Sequence, residues 1–157
     1  MKKVFILLVL LSVLAVGVFA EQADYFTFTM GSGAGYDMNS SNIVASTVFG
    51  MNYTFNSTFT GGFKYIDIGG AAGQFINMSV VPADKLSLTV YTGKLGAAAA
   101  FGVGLSYDLF TKKDALFSSM SINVDWLADD TATGTAGAYP VADGGVILFG
   151  LRTEVGL

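Results

Sequence analysis

Val146-Ile147-Leu148-Phe149-Gly150-Leu151-Arg152-Thr153-Glu154-Val155-Gly156-Leu157 alternates with a period of two. Successive side chains of an extended strand point to opposite faces. Ile147, Phe149, Leu151, Thr153, Val155 and Leu157 therefore make one nearly unbroken apolar strip, while Val146, Leu148, Gly150, Arg152, Glu154 and Gly156 share the other face. A strand greasy on its outward face needs a nonaqueous neighbour, and a lipid bilayer is the simplest one.

The same alternation recurs along the chain. Segments rich in β-branched, aromatic and small residues, separated by Gly, Pro, Asn, Asp and Ser, predict eight strands over 25–36, 43–54, 58–67, 74–81, 86–93, 97–108, 116–127 and 145–157. Leu95 to Tyr107 contains four alanines, but Gly96, Gly102 and Gly104 oppose a helix there, and it sorts cleanly as strand six. The expected fold is all-β: an eight-stranded antiparallel up-and-down transmembrane β-barrel, with alternate connections at its two ends. A repeat of roughly 17 residues fits membrane-crossing strands of about 9–11 residues plus short links.

The front of the chain predicts export. Met1-Lys2-Lys3 is basic, Val4 to Ala20 carries no charge, and Val18-Phe19-Ala20 suits a signal peptidase. Residues 1–20 are expected to be a cleaved Sec-type signal peptide and 21–157 a single barrel domain. With no cysteine in the chain, neither disulfides nor thiolate metal sites contribute. The formal charge of −4, more negative still without Lys2 and Lys3, argues against nucleic acid as a partner. Charged residues make up 13% of the chain, whereas a soluble domain carries about a quarter. An ordinary wet surface is therefore hard to build from this sequence.

Composition separates the two faces. Thr27, Thr29, Gly31, Ser46, Gly50, Asn52, Thr60, Gly62, Ser87, Thr89, Ser119, Ser121 and Asn123 make a face of small residues, suited to the narrow interior of eight strands. Four charges fall on it: Lys64, Asp125, Arg152 and Glu154. They are expected to neutralise one another as a lumenal polar network, structural or gating in role. Arg152 and Glu154 are about 6.8 Å apart by strand rise. The opposite face carries Phe26, Phe28, Met30, Phe49, Met51, Tyr53, Phe59, Phe63, Tyr65, Leu86, Leu88, Val90, Met120, Ile122, Val124 and Trp126, and is expected to meet lipid.

Aromatic residues gather at strand ends. With the N-terminus on the periplasmic side, one rim collects Tyr25, Phe26, Tyr53, Phe55, Phe59, Tyr107, Phe110 and Phe117. The other collects Tyr36, Tyr65, Phe75, Tyr91 and Trp126. Two such girdles mark the interfaces of a membrane barrel.

No histidine is present, which removes the usual general base and the commonest metal ligand. Asp129-Asp130 lacks the spacing of a calcium loop, and Gly31-Ser32-Gly33-Ala34-Gly35 has no following helix to present to phosphate. Asn39, Asn52, Asn56 and Asn77 begin Asn-x-Ser/Thr triplets by chance in a chain rich in those residues. The connection Ala128 to Gly144 is the candidate surface loop, with Tyr139-Pro140 as a contact tip.

In its leader, strand count, aromatic rims, lack of cysteine and last strand, the chain resembles the small eight-stranded outer-membrane barrels of diderm bacteria, the class of the OmpX and OmpW types and the OmpA transmembrane domain. The resemblance implies residence in the outer membrane. It also implies handling by periplasmic chaperones and the barrel-assembly machinery. The assembly signal of that class ends on an aromatic residue with a glycine five positions earlier; here Leu157 and Arg152 stand in those places. The expected function is non-enzymatic, structural or surface-interactive, without a cofactor, and with a largely filled lumen. Two alternatives remain: a narrow pore or transporter of small or hydrophobic molecules, and a secreted soluble barrel with an apolar ligand inside. The soluble alternative requires Phe49, Phe63 and Met120 to face inward.

Overall fold

A computed structural model describes residues 22–38, 40–111, 117–129 and 145–156, with side chains from Phe26 to Ala128 and from Gly145 to Gly156 within those limits. The predicted leader over 1–20, Asn39, the predicted Tyr139-Pro140 tip, Leu157 and the Tyr25 side chain lie outside the described residues.

The eight strands are β1 (Gln22–Asp37), β2 (Asn42–Asn56), β3 (Phe59–Ile68), β4 (Ala71–Ala83), β5 (Leu86–Leu95), β6 (Ala98–Thr111), β7 (Phe117–Asp129) and β8 (Val146–Gly156). Each pairs antiparallel with the next, and β8 returns to β1, so the sheet is a closed up-and-down barrel. Closure leaves no edge strand, and the backbone groups within the wall are paired by the ladder. All eight strands match the sequence-predicted ones within three residues at every end; β4 starts three residues earlier than expected. The reason is local: Gly69 and Gly70, at φ +57° and +93°, turn the chain in two residues where a six-residue link was expected. Asp67 Oδ1 accepts from the Gly70 amide at 3.0 Å and holds that turn. At the opposite end Asn56 Oδ1 accepts from the amides of Thr58 and Phe59, both at 2.8 Å, closing the β2–β3 link. Pro82, which has no amide to donate, sits where the β4–β5 register shifts between Val80 and Ala83.

Alternation along each strand sorts the residues. Phe28, Met30, Phe49, Met51, Phe63, Val103, Ile122, Phe149 and Leu151 are exposed on the outer surface, while Thr27, Thr29, Asn52, Lys64, Asn77, Asn123, Asp125 and Arg152 are buried inside. Phe49 (53% exposed) and Phe63 (46%) point outward, and Met120 is half-buried on the same outer face of its strand. The inward arrangement that a soluble ligand-binding barrel requires is therefore not present. The strands pass close together along the β1–β8 seam. A methyl group at Gly33 would overlap the Phe149 carbonyl and the Gly150 backbone, so only glycine permits that approach.

Candidate functional site

The lumen is the one place where polar chemistry is concentrated among the described residues, and it is built in two layers. The layer nearer the chain ends is hydroxyl- and amide-rich: Thr29, Asn52, Asn77, Thr89, Ser119 and Ser121 are buried there. Asn52 donates to Thr29 Oγ1 at 2.8 Å, Asn77 donates to Asn52 Oδ1 at 3.2 Å, and Ser79 and Thr89 share a hydroxyl bond of 2.8 Å. These inward residues follow directly from strand parity, because each sits two residues from another small polar one.

The other layer is apolar. Val48, Ile66, Ile68, Phe75, Tyr91, Leu95, Ala100, Leu127, Val146 and Leu148 form one buried cluster inside the barrel. Strands β2 to β8 each contribute to it. β1 contributes Gly35, and the space its side chain would take is filled by Leu148 Cδ2 (2.8 Å from a methyl placed there), Val146 and Val44. The apolar cross-section is thus continuous round the wall.

Tyr91 joins the layers. Its ring meets Phe75 edge-on, with centroids 6.2 Å apart, and its hydroxyl donates to Asp125 Oδ1 at 2.7 Å. Arg152 Nη1 donates to that hydroxyl and to Asn123 Oδ1, both at 3.1 Å, and Arg152 Nη2 is ion-paired with Asp125 Oδ2. The cation and anion lie across the β7–β8 ladder, on strands fixed by the Ser121↔Arg152 and Asp125↔Leu148 pairings. A buried pair of this kind is tolerable only when its remaining hydrogen-bonding groups are also met, and Tyr91 and Asn123 meet them. Lys64 Nζ lies over the Tyr91 ring, 5.3 Å from its centroid.

Of the four charges predicted to form the network, Arg152 and Asp125 make a direct ion pair. Lys64, over the Tyr91 ring, and Glu154, whose Oε2 accepts from Ser119 Oγ at 3.3 Å, interact with each other and with Arg152 through space without a direct ion pair. Strand geometry is the cause. Arg152 and Glu154 share a face of β8 at successive inward positions, and the cross-strand position nearest Glu154 is Ser119, not a cation.

The rims differ from expectation at three aromatics. Phe26, Phe55, Tyr107, Phe110 and Phe117 are exposed at the end nearer the chain termini, and Tyr53 is half-buried between Phe26 and Phe55, 4.9 Å from each ring. Tyr36 is exposed and Tyr65 half-buried at the other end, where Trp126 meets Phe101 edge-on at 5.4 Å. Phe75 and Tyr91, expected in that girdle, are instead fully buried in the lumen. Gly73 and Asn77 share the inward face with Phe75, and Thr89 shares it with Tyr91, so parity puts both rings inside. Phe59 is also buried, at 5%, where the Asn56 turn draws the first residue of β3 in at the strand end.

A void of about 10 Å³ beside Ser46, Val48, Asn123, Asp125 and Arg152 holds about one water molecule. A larger groove of about 310 Å³ lies on the outer surface between Phe28, Met30, Phe49 and Val155. No cluster of three or more carboxylates able to hold a metal ion occurs among the described residues.

No family model matches the chain, and no curated protein matches it. A solved structure titled "De novo design of transmembrane beta-barrels" is similar over 87% of this chain and 100% of that chain, at 11% identity and a TM-score of 0.48.

Proposed function

We propose that this chain is an integral β-barrel of the outer membrane of a diderm bacterium, delivered by its leader and serving a non-enzymatic, structural or surface-interactive role with a closed lumen. One observation carries the reading: the barrel is inside out relative to a water-soluble one. Phe49, Phe101, Phe149 and Leu151 are each at least half exposed on the wall, whereas the Arg152–Asp125 pair is buried within it. Soluble monomers rarely expose a contiguous apolar patch beyond a few hundred Å², and here the apolar band runs round the wall.

Three further features support it. Even the shortest strands, β3 and β5, have 10 residues, enough to cross a bilayer when a tilted strand needs about 9–11. The exposed Phe26, Phe55, Tyr107, Phe110 and Phe117 at one end, and Tyr36 with Trp126 at the other, suit the two membrane interfaces. The packed interior favours a sealed barrel over the transport alternative.

Expression with the leader in a diderm host, followed by fractionation and detergent gel electrophoresis, tests this. The chain should remain with outer membranes, lack residues 1–20, and change mobility on boiling as a folded barrel does. Recovery of a folded form in the soluble periplasmic fraction would refute it.

A further inference from the structure

The interior differs in chemistry at two depths, polar nearer the chain ends and predominantly apolar beyond Tyr91. The Arg152–Asp125 pair attracts notice as a gate because it is charged and central. Yet it lies on the polar side of the Tyr91 ring, next to hydroxyls and amides that a solvated ion tolerates. Beyond Tyr91, every strand presents an apolar group or a glycine covered by one, and Ser46 and Asp37 are the buried polar side chains among the described residues on that side. Val48, Ile66, Phe75, Leu95, Leu127 and Leu148 make that cross-section predominantly apolar, and Ile66, Phe75 and Leu127 are fully buried.

We infer that the permeability barrier of this barrel is the apolar layer centred on Phe75 and Leu127, and that the Arg152–Asp125 pair anchors Tyr91 beneath it without gating the lumen. The inference rests on the membrane-barrel reading above and names the part of the lumen that seals it. Physically, an ion in the polar layer exchanges water for hydroxyls, amides and fixed charges. An ion in the apolar layer loses its hydration with little in return, so its entry there is strongly disfavoured. Apolar constrictions block conduction by excluding water even without a steric plug. Water and small ions entering from the end nearer the chain termini therefore go no further than Tyr91.

The test reconstitutes the purified barrel in phosphatidylcholine vesicles loaded with potassium chloride and follows chloride efflux. Phe75→Ala/Leu127→Ala opens the apolar layer. Arg152→Met/Asp125→Leu removes both charges while keeping the space filled. Flotation with the vesicles and the mobility shift on boiling are recorded for each protein, so loss of the membrane-barrel reading shows as wild type that fails to float. With wild type floating and shifting, the first variant should leak faster by roughly tenfold or more, and the second should stay as tight as wild type.

Leakage from the charge-removal variant together with tightness of the apolar-layer variant would overturn the inference. So would free efflux through wild type. If the double alanine variant does not fold, Ile66→Thr and Leu127→Thr put a hydroxyl into the same layer and remove less side-chain volume than alanine does. Leakage from a folded threonine variant supports the inference, and tightness of both overturns it.

Discussion

Tyr91 and Asp125 hydrogen-bond across an intervening strand: the tyrosine on β5 reaches the carboxylate on β7 at 2.7 Å, over β6. Gly104 of β6 lies beneath that bond. A methyl group there would overlap Asp125 Oδ1 and lie 3.0 Å from Tyr91 Cε2. The polar centre thus depends on a missing side chain as much as on the ones present. Tyr91→Phe deletes a donor to Asp125 and an acceptor for Arg152 while keeping the ring. It should cost about 1–3 kcal/mol, since buried polar partners lose their mates. Urea unfolding in detergent micelles, followed by the fluorescence of Trp126, the sole tryptophan of the chain, measures this directly.

The Arg152–Asp125 pair should behave asymmetrically under substitution. Asp125→Leu strands the guanidinium in the interior and should cost about 3–5 kcal/mol; Asp125→Leu with Arg152→Met should cost less than that single change. The same unfolding measurement on the four members of the cycle supplies the coupling energy. Strictly additive costs would show that the two groups do not act as a pair.

Closure of the barrel should hinge on Gly33. Gly33→Val places branched carbons where the Phe149 carbonyl and Gly150 backbone already sit, so β1 and β8 cannot close at that register. Folding yield from urea into detergent should collapse. Gly70→Ala is the comparison: its side chain would meet nothing within 4 Å, and only the φ of +93° is strained, costing roughly 1–3 kcal/mol. Heat-shifted gel bands quantify both.

Charges on the wall should cost according to depth. Leu151→Arg, in the middle of the apolar strip, should destabilise the membrane-embedded protein by about 2–4 kcal/mol, and Phe117→Arg at the rim by about 0–1 kcal/mol. Equilibrium unfolding from phospholipid vesicles compares them. Equal and negligible effects would be those of a water-facing wall.

Much of this architecture was legible in the sequence because period-two alternation is a strong signal when the two faces differ in chemistry. On β1, β7 and β8, Thr27-Phe28-Thr29-Met30, Ser121-Ile122-Asn123-Val124 and Leu151-Arg152 leave no ambiguity, and the strands and facing follow. The signal fades where both faces are apolar. Tyr65-Ile66, Phe75-Ile76 and Val90-Tyr91 each put large apolar groups inside and out, so the apolar layer of the lumen was hidden within what reads as a uniformly greasy strand end. Aromatic position along the strand pointed Phe75 and Tyr91 to a rim; their spacing from Asn77 and Thr89 pointed inside, and spacing prevailed because a one-residue slip would reverse the whole strand. The Tyr91–Arg152–Asp125 arrangement was not legible for a different reason. It joins three strands, and alternation says which face a residue takes but not which distant residue stands opposite it.

The orientation of the wall is tested most directly by a fluorophore on a single cysteine at Leu151 in a chain that has no other cysteine. In vesicles whose lipids carry bromine on the acyl chains, emission from that site should be strongly quenched, while aqueous iodide should have little effect. Quenching by iodide with indifference to the brominated chains would place Leu151 in water and contradict the membrane barrel.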